Sequence, residues 1–304
     1  MRQTFVVSEE QADVRIDRYL SDTCEELSRS YLQKLLKSGD VLVNEKPVKA
    51  SYKVEAGDRV DLEVPEAVEP EIEAEDMDLD ILYEDQDVIL INKPKGMVVH
   101  PAAGHYSGTL VNGLMAHCKD QLSGINGVMR PGIVHRIDMD TTGVLIVCKN
   151  DFAHNSIAAQ LKDHSITRKY RAIVHGVIKD DVGTINAPIG RHPVDRKKMS
   201  INEKQGRHAV THFRVLERFQ KYTYIECRLE TGRTHQIRVH MASIHHPLLG
   251  DTVYGPEKSP FPLQGQTLHA GVLGFIHPRS GEYMEFSAPL PEYFQQLLKK
   301  FEIH

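Results

Sequence analysis

The 304-residue chain has no tryptophan and only four cysteines, Cys24, Cys118, Cys148 and Cys227, none of them in a CxxC pair. That spacing fits reduced, mostly buried thiols in a cytoplasmic protein better than a disulfide framework or a zinc site. No apolar run approaches the roughly 20 residues that span a bilayer. The N-terminal stretch MRQTFVVSEEQADVRID has neither the apolar segment nor the small-residue cleavage site of a signal peptide. Neither a membrane nor a secreted location is expected.

Basic charge is also short overall, with a net charge of −5, but the average hides segregation. Between Asp61 and Asp87 stand 13 acidic residues and no Lys or Arg; without that segment the chain carries +8, with 17 histidines besides. Asymmetry of this kind marks an acidic connector between two modules. Residues 65–80, PEAVEPEIEAEDMDLD, repel one another and have little to bury, so they are expected to be extended or mobile. The division is therefore 1–64, a small module; 65–80, the connector; and 81–304, a large domain.

Within 14–64 the pattern is two short helices followed by strands. Ser28-Arg29-Ser30 supplies an N-cap before YLQKLLK (31–37), whose apolar positions recur at helical spacing. Gly39 stands where a helix would end, VLV (41–43) reads as a strand and NEKP (44–47) as a turn. Six basic residues over 28–54, namely Arg29, Lys34, Lys37, Lys46, Lys49 and Lys53, stand against Asp40 and Glu45. Such a face suits phosphate contact and equally suits plain solvation; charge alone does not separate the two.

In the large domain, DVILINK (87–93) reads as a buried strand ended by Pro94, and GMVVH (96–100) as a second. A helix is expected from near 109 to 117, a core strand at 143–148, and a helix over 151–164 with Asp151 as its N-cap. Further strands are expected at 169–176, 209–216 and 222–229, and a last helix over 291–301. Strands and helices do not alternate regularly. That argues for an α+β fold with a mixed, largely antiparallel sheet over a doubly wound one.

Two polar clusters stand out. GIVHRIDMDTTG (132–143) is loop-like yet directly precedes an apolar strand, and its His, Arg and two Asp suit a site. The alternative is an Asp that caps a turn with Arg136 as its ion-pair partner. ETGRTHQIRVH (230–240) follows the strand at 222–229, and Arg233 and Arg238 offer guanidinium groups for carboxylate or phosphate. A helix from Gln236 would put Gln236 and His240 on one face. His235, His240, His245 and His246 lack the spacing and third ligand of a zinc site, so no metal is expected.

The segment RIDRYLS…SRSYLQKLLKSGDVLVNEKPVKASYKVEAGDRV resembles the S4 RNA-binding domain, with Glu45 replacing the Gly common in its turn. NKPKGMVVHPA (92–102), GIVHRIDMDTTGVLIVCKN (132–150), RKYRAIV (168–174) and LETGRTHQIRVHMASIHHPLLGDTVYG (229–255) resemble, in order, the motifs of the RluA/RluD family of RNA pseudouridine synthases. Ile137 replaces the commoner Leu of the second motif. The resemblance spans nearly the whole chain. It implies a pseudouridine synthase core behind a small α/β S4 domain, a monomer needing neither cofactor nor metal. The substrate it implies is structured RNA, most of all 23S ribosomal RNA of the large subunit or a ribosome assembly intermediate.

The resemblance also implies roles. Asp138 is the catalytic residue, attacking C1′, attacking C6 or abstracting a ribose proton. Tyr170 stacks on the uracil and serves proton transfer, unless it is simply a core aromatic. Arg233 pairs with the aspartate, Arg136 enters the RNA stack when the uridine flips out, and Ile237 lines the base pocket. Arg29, Lys34, Lys37, Lys46 and Lys49 contact RNA from the S4 domain. Competing readings are a noncatalytic RNA-binding or ribosome-assembly factor, and a transfer-RNA-directed synthase of the same family. A glycoside or nucleoside hydrolase is weakened by Asp138 and Asp140 standing only two residues apart.

Overall fold

The computed structural model describes residues 2–24, 27, 29–64, 72–102, 104–119, 121–125, 130–195 and 198–302, with the side chains of Arg2, Ser30, Tyr31 and Lys34 excepted. Met1–Glu69 and Pro70–His304 form two compact units.

In the first unit β1 (Arg2–Val6), α1 (Ile16–Thr23), α2 (Arg29–Ser38), β2 (Val41–Val43), β3 (Lys46–Pro47) and β4 (Arg59–Glu63) follow in order. The strands form an antiparallel sheet in the order β1-β4-β2-β3. Ile16, Leu20, Leu32, Leu35 and Leu36 on the helices bury against Val41, Val43, Val60 and Leu62 on the strands. In the first turn of α1 the buried Asp17 accepts hydrogen bonds from Arg15, Arg29 and Gln33. Burial raises its pKa, but these donors outweigh it and hold it at about 2. The β2–β3 turn places Asn44 and Glu45 at φ 50° and 66°, the left-handed pair a two-residue hairpin needs. Glu45 therefore occupies a conformation that Gly adopts at less cost. The expected cap at Ser28 lies outside the described residues.

The second unit holds β5 (Ile81–Glu84), β6 (Val88–Lys93), α3 (Leu110–Cys118), β7 (Thr142–Cys148), α4 (Asp151–Lys162), β8 (Thr167–His175), β9 (Val182–Asn186), β10 (Ile189–Arg191), β11 (Met199–Ile201), β12 (Val210–Arg218), β13 (Tyr222–Leu229), α5 (Gln236–Ser243), β14 (Leu268–Ile276), β15 (Tyr283–Ser287) and α6 (Glu292–Glu302). Nine strands form one sheet, ordered β5-β6-β7-β14-β8-β13-β12-β9, with β15 on β14. Among the described residues its one parallel pairing is β7 with β14. The fold is thus α+β with a mixed, mostly antiparallel sheet.

Both faces of the central strands are covered, which explains their unbroken apolar runs. On β7, Val144, Ile146 and Cys148 bury toward α4, while Leu145 and Val147 bury on the opposite face with α3. Tyr170, Ala172 and Val174 of β8 share that second face. Gly143 makes the β7–β14 pairing possible: at φ 110°, any Cβ there would collide with the Ala270 carbonyl. Ala270 in turn pairs with Tyr170. The sheet therefore sets the start of β7, where the loop carrying Asp138 ends, with the single strand β14 between it and Tyr170.

Three expectations need correction. Residues 96–100 form no strand; the carbonyls of Val98 and Val99 instead accept the N–H groups of Leu110 and Val111, the otherwise unpaired donors at the start of α3. The cap of α4 is Asn150, which accepts from the Ala153 N–H, while Asp151 accepts from Ser123 and Gly124. The connector also packs where it is described. Ile72 is buried in the core, Asn112 donates to the Glu73 carbonyl, and Glu75 accepts from the Gly108 N–H. Ile72, Met77 and Leu79 supply the apolar contact that the density of acidic residues conceals; residues 65–71 of the expected connector lie outside the described residues.

Candidate active site

Asp138 sits in the loop before β7, with its carbonyl accepting from the Thr141 N–H. The loop is pinned from below by Lys93 at the end of β6. This lysine is fully buried, and its three ammonium donors are all used, on the carbonyls of Pro94, Met97 and Met139. Burial lowers its pKa to about 7, against the opposing fields of Asp140 and Asp138. Sequence reasoning assigned Lys93 no role; a charged residue closing an otherwise apolar strand was the available signal.

The guanidinium beside Asp138 belongs to Arg238, whose Nη1 donates to Oδ2 at 3.1 Å. This corrects the expected pairing with Arg233. Arg238 is in the first turn of α5, facing the loop, whereas Arg233 precedes the helix and turns its Nε to the His208 carbonyl at 2.9 Å. Two further nitrogens of Arg238 grip the buried Asp251, at 2.6 and 3.0 Å. Asp251 also accepts from the N–H groups of Val253 and Tyr254, and was likewise unassigned from sequence. Burial opposes the charge on Arg238, but Asp251 and Asp138 outweigh it and raise its pKa. The arginine therefore stays charged and aimed.

His235 caps α5 in a left-handed conformation, φ 55°, and brings Nε2 to 3.8 Å from Asp138 Oδ1. His235 Nδ1 lies 2.7 Å from the Tyr254 hydroxyl, which also accepts from the Met199 N–H, and this contact holds the ring with Nε2 toward Asp138. Burial lowers the His235 pKa and Asp138 opposes that.

Asp138, Tyr170, Arg233, Ile237 and Arg238 bound a pocket of about 50 Å³. It adjoins a cleft of about 390 Å³ lined by His100, Arg136, Asp138, Thr234 and His235, among others. Arg136 is exposed at the rim and donates to Thr234 Oγ1 at 3.3 Å. Tyr170 is buried; its burial and the field of Asp138 raise its pKa, with Arg168 opposing, so the phenol stays protonated at neutral pH. Every site residue expected in the large domain thus borders one of two adjoining cavities.

The histidines do not converge on a common point. His240 bonds Thr211 Oγ1 and the Ala187 carbonyl, and His246 bonds the His175 carbonyl. Gln236 shares the face of His240 as expected and also reaches Thr211. Two other groups of potential ligand atoms, Glu84–His117–Cys118 and Asp85–Asp87–His277, are already served by Lys149 and Arg279 respectively.

In the first unit, Lys37 and Lys49 border one groove and Lys46 is exposed on β3. Arg29 is committed to Asp17 at 3.0 Å and Lys53 to Asp13 at 2.8 Å. The side chain of Lys34 lies outside the described residues.

The sequence pattern of the RNA pseudouridylate synthase family matches residues 87–243, and that of the S4 domain matches residues 14–60. The chain is 61% identical over 292 residues to the uncharacterised RNA pseudouridine synthase YlyB of Bacillus subtilis, covering 96% of this chain and 95% of that one. It is 47% identical over 307 residues to the ribosomal large subunit pseudouridine synthase D of Zymomonas mobilis, covering 98% and 96%. Among solved structures, human RNA pseudouridylate synthase domain containing 1 aligns with a TM-score of 0.57 at 26% identity, over 75% of this chain and 96% of that one.

Proposed function

This chain belongs to the RNA pseudouridine synthases, and from that premise we propose that it converts uridine in large-subunit ribosomal RNA to pseudouridine with Asp138 as the catalytic group. The observation that carries the reading is the contact between Asp138 and Arg238 on the wall shared with Tyr170. The reaction breaks the bond from uracil N1 to ribose C1′ and joins C1′ to C5. The C5 hydrogen leaves as a proton and N1 gains one, so no electron acceptor is required. Breaking a glycosidic bond builds positive charge on the sugar, and a fixed carboxylate stabilises or captures that charge.

The remaining groups fit this chemistry. Arg238 keeps Asp138 ionised and oriented, as an opposite charge at hydrogen-bond distance does. Tyr170 offers the freed uracil a flat ring and a phenol that stays protonated. The 50 Å³ pocket holds a few waters rather than a base, so a uridine enters as the cleft opens at Arg136, which then fills the vacated place in the RNA stack. Lys37, Lys46 and Lys49 supply sequence-independent phosphate contacts from the S4 domain. The names of the relatives support the ribosomal substrate.

The test is Asp138→Asn, assayed on a 23S ribosomal RNA transcript by carbodiimide mapping of pseudouridine. The expected result is RNA binding within about twofold of the parent and turnover lost by 10⁴ or more, roughly the loss when a catalytic carboxylate of this kind is removed. Retained turnover overturns the assignment.

A further inference from the structure

We propose that a hollow beside the catalytic cleft, bounded by His100, Arg130, His135 and Arg136, is a phosphodiester subsite that holds the RNA backbone next to the reacting uridine. The proposal rests on the RNA-modifying reading above and adds a contact that the reading does not contain.

The hollow has a volume of about 290 Å³, and Ile133 and Val134 complete its lining, so among the described residues no acidic side chain borders it. His100 and Arg136 belong both to this wall and to that of the catalytic cleft, so the two spaces adjoin. Arg130 is exposed and has no carboxylate partner among the described residues; Arg136 is held by Thr234 Oγ1. Two guanidinium groups lining one space without an acid between them favour an anion there, and their planar forks match phosphate oxygens.

The histidines complete a donor-rich wall. His100 lines the hollow and is 7% exposed, and its Nδ1 is buried without a hydrogen-bond partner among the described residues. Its place is fixed by the α3 N–H groups that hold Val98 and Val99. Burial, with Arg130 and Arg136, lowers its pKa to about 4, so at neutral pH the ring is neutral and keeps one N–H to offer. His135 accepts the Ile146 N–H through Nε2, which leaves its proton on Nδ1 as a second donor. A phosphodiester, singly charged and with two free oxygens, matches Arg130 and two neutral imidazoles, with Arg136 adding its charge at the edge until it enters the RNA stack.

The experiment compares the full chain with Arg130→Met and Arg130→Lys in binding a 23S ribosomal RNA transcript across ~50 to 200 mM salt, the range in which phosphate contacts show. Expected is a salt slope lower by about one for Arg130→Met and unchanged for Arg130→Lys, which keeps the charge. Thermal melts confirm that both variants fold. A parental slope in Arg130→Met overturns the proposal. In parallel, inorganic phosphate is titrated at constant ionic strength while the His100 ¹⁵N resonances are followed. A shift there together with a lowered slope supports the backbone subsite; a shift with an unchanged slope assigns the hollow to a free anion and overturns it. Pseudouridine formation by the parent on the same transcript separates the two readings. A lowered slope without turnover supports the subsite and defeats the enzyme reading, whereas turnover with an unchanged slope does the reverse.

Discussion

Arg238 touches Asp138 through a single nitrogen at 3.1 Å, while its other two nitrogens are spent on Asp251. The division matters because a guanidinium held by a buried carboxylate on one edge cannot swing away when the other edge meets substrate. Asp251 is thereby a positioning residue for a group it does not touch.

The consequence is a non-additive pair. Arg238→Met should lower single-turnover pseudouridine formation by ~10² or more and reduce stability by about 3 kcal/mol, because it strands a buried carboxylate. Asp251→Asn should lower the rate by ~10-fold while Asp138 remains in place. The double variant should be no slower than Arg238→Met alone, since Asp251 acts only through the arginine. Additive losses would show that Asp251 has an independent role.

Lys93 offers a second test of how the loop is held. Lys93→Met removes the ammonium and leaves the Pro94, Met97 and Met139 carbonyls without that donor. Unsatisfied buried carbonyls cost about 1–3 kcal/mol each before relaxation, and a total loss of about 3–4 kcal/mol is expected in chemical denaturation. Amide exchange should rise first at Gly96, which donates to the same Met139 carbonyl. An unchanged exchange rate there would remove Lys93 from the account of the site.

How much of this was legible in the sequence depends on the range of the interaction. Strand 222–229 was readable to the residue and the helices at 110 and 292 to within a residue or two, because apolar periodicity is local. The clusters around Asp138 and Arg233 were visible as polar stretches abutting apolar strands. Which arginine meets the aspartate was not, because it depends on where α5 starts: His235 adopts a left-handed backbone that ends the loop and turns Arg238 inward. Residues 96–100 read as a strand by composition, yet their carbonyls serve α3. The packing of 72–80 was masked by the acidic residues between Ile72, Met77 and Leu79.

Gly143 links fold to site directly. Gly143→Ala places a methyl against the Ala270 carbonyl at a φ that L-residues avoid, so β7 must move away from β14. A loss of roughly 3 kcal/mol is expected, in the range of overpacking plus backbone strain. The loop bearing Asp138 leads into that strand, so turnover should fall more than RNA binding does. A variant that melts like the parent would show that β7 and β14 need no such close approach.

The first unit carries its own pH signature. Asp17 is buried in the first turn of α1, and its carboxyl is held at about 2 against an unfolded value near 3.9. A depressed pKa means that the folded form binds its proton less readily than the unfolded chain. The stabilisation is therefore complete above about pH 5, and is lost as pH falls through 3.9 toward 2. The difference corresponds to about 2.5 kcal/mol at neutral pH. Amide exchange of α1 and α2 in the full chain should therefore show protection falling between pH 5 and 3 by about sevenfold, after correction for intrinsic rates. Asp17→Asn should be less protected at pH 6 and show a flatter dependence, because its amide accepts from Arg15 and Arg29 without a charge to lose. Protection in the parent that ignores pH across this window would show that the three donors do not hold the carboxylate as the geometry requires.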